Sequence, residues 1–156
     1  MKYPSEINAA QFQALLKSSS SSWSCGNSFP GLGNVCSPSL ELCRGLLALK
    51  DTDLSGRLQI EHVPSLVNLM TFWKNSFRRC GPNATASGVF SKGTWASKIS
   101  SYCLRGLLWT AGVTASNKVI EALVGRFTKN RQITLEGYIL ALIRIHLAQG
   151  NNFYCC

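Results

Sequence analysis

Residues 51 to 62 read Asp-Thr-Asp-Leu-Ser-Gly-Arg-Leu-Gln-Ile-Glu-His, and no other stretch constrains the fold as tightly. Side-chain oxygens recur at alternate positions, on Asp51, Asp53 and Ser55, and Gly56 follows at once. A loop that turns sharply while aiming oxygens at one point needs this order: donors at positions 1, 3 and 5, a glycine at 6 and a backbone carbonyl at 7. Calcium, a hard cation that takes six to eight oxygens, is the ion such a loop holds. Arg57 would offer the carbonyl, Gln59 could hold a water, and Leu58 at position 8 is the apolar residue that pairs with a neighbouring loop. Position 12, where a glutamate ordinarily grips the ion with both oxygens, is His62, and Glu61 stands one residue early. Calcium prefers oxygen to the nitrogen of His62, and Glu61 would serve only if the loop slipped. The expectation is calcium binding at the weak end of the range, roughly 10⁻⁴ to 10⁻³ M, or its loss.

The flanks of this loop predict helices, which makes the unit an EF-hand, a helix-loop-helix. Upstream, Leu40, Leu42, Leu46, Leu47 and Leu49 recur at helical spacing behind Ser39 or Ser37 as N-cap. Downstream, Val63, Leu66, Val67, Met70 and Trp73 form an apolar face, with Pro64 at the tolerated start of the helix. Residues 6 to 17 predict a short helix capped near Asn8 and buried through Phe12, Leu15 and Leu16. Residues 99 to 111 predict another, carrying Tyr102, Leu104, Leu107, Leu108 and Trp109 and stopped by Gly112. Ser116 is set to cap a helix with Val119, Ile120, Leu123, Val124 and Phe127 on one face. A polar turn at residues 129 to 132, an extended Ile133-Thr-Leu135 and an apolar helix over 136 to 149 complete the pattern. Ile99 and Ile133 have the rhythm of position 8 in further hands. Their ligand positions, however, hold Lys92, Thr94, Ala96 and Cys103 in one case and Thr128, Lys129 and Asn130 in the other, which cannot hold calcium. These read as hands kept for packing, or as plain helix connections. The fold class is all-α, built of EF-hand-like repeats.

In organisation, residues 1 to 17 read as the remnant of a first hand, and the Ser/Gly-rich 18 to 39 as a linker. The helical domain spans 40 to 149 with an insertion at about 78 to 98, and 150 to 156 form a tail expected to be unstructured. The chain's 156 residues carry a formal net charge of +9 with only seven acids, an unusual balance for a calcium module. The cations are scattered rather than gathered on one helix face, so the excess reads as a solvated surface and argues against a nucleic-acid partner. No apolar run approaches the ~20 residues of a membrane span. The amino terminus does not resemble a signal peptide. The seven cysteines are therefore expected to be reduced, in a cytoplasmic setting, and the Asn83-Ala-Thr85 sequon to be idle. No C-x-x-C pair suggests zinc. His62 and His146 are the two histidines; His146 is expected to be packed or half-exposed on the last helix, and neither sits in a nucleophile-base context.

Taken in order, several stretches resemble the C-terminal penta-EF-hand domain of calpains, of a divergent, atypical kind. Residues 6 to 12 resemble the end of that family's first hand, with Gln11 at its last ligand position, and 40 to 44 the helix entering the second. Residues 50 to 58 resemble the second loop, 99 to 112 the third hand's exiting helix, and Val124-Gly-Arg-Phe127 and Ile143-Arg-Ile145 parts of the fourth. The resemblance covers residues 5 to 148, without the papain-like protease core and without the fifth hand through which the family dimerises. It implies a regulatory module of a calcium-dependent cysteine endopeptidase that is not itself an enzyme. The metal ligands would be Asp51, Asp53, Ser55 and the Arg57 carbonyl, with His62 at position 12. The partner would be a calpain protease core or another protein, with homodimerisation disfavoured. The alternative is a calcium-independent helical interaction module that retains only the EF-hand scaffold.

Overall fold

The computed structural model describes residues 5–18, 38–79 and 98–149. The expected linker, insertion and tail, and the third loop's Lys92, Thr94 and Ala96, lie almost wholly outside these. The elements run β1 (Glu6–Asn8), α1 (Ala9–Ser18), α2 (Leu40–Lys50), β2 (Arg57–Gln59), α3 (Val63–Arg79), β3 (Lys98–Ser100), α4 (Leu104–Thr110), α5 (Asn117–Phe127), β4 (Thr128–Lys129), β5 (Gln132–Thr134) and α6 (Leu135–Ala148). Helices dominate. The five short strands form two small antiparallel sheets, β1-β2 and β3-β5-β4.

Those sheets tie the helix-loop-helix units into pairs. Ile7 lies opposite Leu58 in the first sheet, and Ile99 opposite Ile133 in the second. All four side chains are buried. Ile99 and Ile133, read as position 8 residues, thus occupy that structural position, and so do Ile7 and Leu58. Among the described residues two helix-loop-helix units, α2–α3 and α5–α6, are each joined through the apolar centre of the loop to a strand-helix piece, β1–α1 and β3–α4 respectively.

Local chemistry sets the helix ends. The Ser39 hydroxyl accepts the Leu42 N–H at 3.2 Å, and Ser116 and Thr134 do the same for Val119 and Gly137. Asn8 and Gln11 exchange bonds of 2.9 Å, each side chain accepting the other's backbone N–H, which makes a capping box at the start of α1. Gly112 ends α4 with a left-handed φ of 80°, a conformation costly for other residues. Pro64 falls in the first turn of α3.

α6 lies at the centre. Leu135, Tyr138, Ile139, Ala141, Leu142 and Ile143 are essentially inaccessible, so this helix is enclosed on most sides rather than along one stripe. It packs closely on α2, where Gly45 lets Ile143 approach; a Cβ there would lie 3.2 Å from an Ile143 methyl. The buried Tyr138 hydroxyl donates to the Leu107 carbonyl at 2.8 Å, linking α6 to α4. Glu136 accepts the Ser39 N–H at 3.2 Å, so a carboxylate of the fourth hand secures the start of the second hand's entering helix. Trp73 of α3 stacks on His146 of α6, with ring centroids 5.7 Å apart and planes inclined by 17°.

Some expectations need correction. The helix expected from residue 6 begins at Ala9, because residues 6 to 8 pair with β2. The helix expected from residue 99 begins at Leu104, after a strand and a 3-10 turn over Ser101–Cys103. Leu15, expected in the core, is 46% exposed. For the two helix starts a distant strand partner decides the outcome, and short-range spacing does not report it.

Candidate functional site

The second loop begins where α2 ends. Asp51 is the C-cap of α2, its N–H still bonded to the Leu47 carbonyl at 2.9 Å. From there the chain turns through two left-handed residues, Leu54 (φ 57°) and Gly56 (φ 71°). Glycine adopts this conformation freely, whereas for leucine it costs about 1 kcal/mol or more. Leu54 is 90% exposed, so packing does not compensate that strain. The carboxylates hold the turn instead. Asp51 Oδ2 accepts the Gly56 N–H at 2.7 Å, and Oδ1 accepts the Ser55 N–H at 3.2 Å and its hydroxyl at 3.3 Å. Asp53 Oδ1 accepts the same Ser55 N–H at 3.4 Å, and the Arg57 N–H reaches the Ser55 hydroxyl at 3.2 Å.

Three of the residues read as ligands, Asp51, Asp53 and Ser55, are therefore brought together, and Arg57 follows directly in β2. Hydrogen bonding, first with Asp51 and then with the Ser55 hydroxyl and N–H, holds the Asp53 carboxyl below its ordinary pKa. His62 lies elsewhere: it ends the 3-10 turn Ile60–His62 that opens into α3 and is half-buried. Glu61 is exposed. Among the described residues no three His, Cys, Asp or Glu side chains gather closely enough to hold a metal. The donor set thus fits calcium on one side. Two carboxylates, a hydroxyl and a carbonyl are hard oxygen donors of the right kind, and no carboxylate closes the site from position 12.

The remaining loops differ in chemistry. The first hand's Gln11, at the last ligand position, is engaged in the capping box with Asn8. In the fourth hand, β4 and β5 close a hairpin on the turn residues Asn130 and Arg131, both left-handed at φ 54° and 60°. Arg126, which precedes this hairpin, lies over the Phe127 ring at 5.7 Å. Glu136 faces Ser39 rather than a loop centre. Sequence reasoning missed that role, because a bond between residues 97 positions apart leaves no local signal. Cys43 and Cys103 are free thiols. Burial raises the pKa of Cys43 to about 12, with a further rise from Glu136 set against a lowering by Lys17.

Helix-loop-helix units joined in pairs through the apolar centres of their loops have the architecture of EF-hands. Comparison with known proteins finds the chain similar to penta-EF-hand proteins of the grancalcin and calpain type. It is 22% identical to grancalcin of Pongo abelii over 94% of this chain and 62% of that protein. It is 28% identical to a calpain of Schistosoma mansoni over 69% of this chain and 13% of that protein, and 26% identical to calpain-A of Drosophila melanogaster over 69% and 12%. The chain therefore spans under two thirds of the grancalcin and a small part of either calpain. No family model matches the sequence. In fold it is similar to the structure of a homolog of programmed cell death 6 protein from Leishmania major Friedlin, with a TM-score of 0.51 at 15% identity over 98% of this chain and 80% of that one. These two likenesses, to the grancalcin and to the Leishmania structure, extend over 94% and 98% of this chain. No described helix is long and apolar enough to cross a membrane.

Proposed function

We propose that the chain is a calcium-responsive regulatory module that binds the ion weakly through Asp51, Asp53, Ser55 and the Arg57 carbonyl. In this reading it acts in the cytoplasm on a protein partner such as a calpain protease core. The observation that carries the reading is the convergence of two carboxylates, on Asp51 and Asp53, upon one N–H donor, that of Ser55. Like charges held this close favour a cation between them. Calcium, when bound, supplies the positive charge that offsets this repulsion. The chain's part is to hold the loop in register through the Leu58–Ile7 pair and to pass a loop shift into α1 and α3.

Calorimetric titration into the millimolar range, run beside Asp51→Ala, tests this. Saturable heat that vanishes in the variant is the expected result. A folded chain that gives no heat overturns it. A second reading, the calcium-independent interaction scaffold, is favoured by one observation: His62 belongs to the helix start rather than to the carboxylate cluster. Under it, partner binding is the same in calcium and in a chelator.

A further inference from the structure

Among the described residues the third hand ends on an exposed aromatic face. Leu104, Leu107 and Leu108 of α4 are buried, while Tyr102, Arg105, Gly106 and Trp109 recur at spacings of three and four on the opposite side. Tyr102 is 81% exposed and Trp109 70%, an unusual state for two large aromatic rings on one face. Between them, a Cβ added at Gly106 would meet nothing within 4 Å. Tyr102 lies in the 3-10 turn just before α4 and Trp109 in the last turn of α4, and Gly106, which has no side chain, leaves a notch between them.

The surroundings are cationic. The Arg105 guanidinium is held by the Asn117 side-chain oxygen of α5, beside Lys118. Arg131, at the hairpin turn of the fourth hand, is tied to the same corner because its carbonyl accepts the Ser101 N–H at 2.8 Å. Residues 98 to 149 contain seven Lys and Arg against two carboxylates. One of those, Glu136, is committed to Ser39; the other, Glu121, is exposed one turn beyond Asn117 on α5.

From this we infer that the face formed by Tyr102 and the outer side of α4 up to Trp109 is a docking site for an acidic segment of a partner protein, one whose aliphatic side chain fills the Gly106 notch while a carboxylate meets Arg105. The rings supply contact area at small entropic cost, and the cations select sign. A membrane surface suits the site less well, because a notch between two rings rewards a discrete side chain rather than a lipid headgroup. The inference gives chemistry to the partner in the proposed function and rests on the partner-binding part of that reading, not on its calcium.

The test is selection of a random peptide display library on the purified chain, with chelator present throughout, followed by titration of the enriched peptides. Acidic sequences containing aliphatic residues are expected. Their affinity should fall roughly tenfold or more in Arg105→Gln and in Trp109→Ala. Gly106→Leu should abolish binding by filling the notch. It replaces an exposed helical glycine with a better helix former, so its loss of binding cannot be ascribed to unfolding. Glu121→Gln should tighten binding. Enriched peptides with no excess of acid, or full affinity in Gly106→Leu, would overturn the inference. So would binding to phosphatidylserine vesicles that depends on the same residues without any peptide enrichment. Because calcium is absent, loss of the calorimetric signal leaves a positive result standing as calcium-independent docking, while failed selection leaves the calcium reading intact.

Discussion

The second and fourth hands share a scaffold and differ in what fills the loop. Leu58 and Ile133 occupy equivalent places, each buried and each paired across a short sheet with the preceding hand. The second loop stays open, held by carboxylates that accept N–H groups from its own turn. The fourth has no carboxylate to perform that task. It closes on itself as the β4–β5 hairpin, satisfying its backbone groups with each other. The pairing of hands therefore depends on an apolar position 8 and good helix caps. Ion ligands can be lost without loss of the pair, provided the loop backbone finds other partners.

The strongest way to break this comparison is to remove the shared element. Ile133→Ala and Leu58→Ala each delete buried aliphatic volume and should cost about 2–4 kcal/mol in urea unfolding. Because α6 packs on α2 and Glu136 secures α2, both variants should still unfold in one transition. Two resolved transitions, followed by tryptophan fluorescence and by far-ultraviolet circular dichroism, would show instead that the hand pairs are independent units.

His62→Glu sharpens the contrast from the ligand side. It restores the missing position 12 carboxylate and should tighten calcium binding about a hundredfold, within the span between weak and sensor-type hands. An unchanged titration would mean that the 3-10 turn at Ile60–His62 keeps position 12 away from the ion whatever residue stands there.

A smaller effect is expected where the fourth hand closes. A Cβ at Gly137 would lie 2.9 Å from the Phe127 carbonyl oxygen and 3.3 Å from Ile133 Cγ1, so Gly137→Ala should cost about 1–3 kcal/mol. Gly45→Ala meets a movable Ile143 side chain and should cost less. A larger loss at Gly45, measured by thermal unfolding, would indicate that the α2–α6 contact is the less yielding of the two.

Much of this arrangement was legible because it is local. Ser39, Ser116 and Gly112 announce helix ends through their own side-chain or backbone chemistry, and the spacing of Ile99 and Ile133 marked them as loop centres. The strands at residues 6 to 8 and 98 to 100 were not legible, since three residues become a strand only when a distant partner supplies the hydrogen bonds. Tyr102 and Trp109 fit a helical pattern but face outward, and periodicity alone does not report which side of a short helix the core occupies. The loop's donor residues were visible from spacing. The engagement of Asp51 with Gly56 and of Gln11 with Asn8 required geometry.

The least effect is expected from pH, acting where the two pairs meet. Burial against Trp73 lowers the pKa of His146 below its ordinary 6.5. The folded state thus binds the proton less readily than the unfolded chain, so in the window between the folded value and 6.5 the unfolded state carries more protons. Stability is complete above pH 6.5 and declines as pH falls through that window. The ring is half-exposed, so solvent screens much of the penalty and the decline should be shallow. Urea midpoints measured at pH 7.5 and 5.5 for the chain and for His146→Phe, which keeps an aromatic partner for Trp73, isolate this contribution. The difference between the two midpoints should be smaller in the variant. An equal difference in both would assign the acid sensitivity to other groups and leave the Trp73–His146 stack as packing alone.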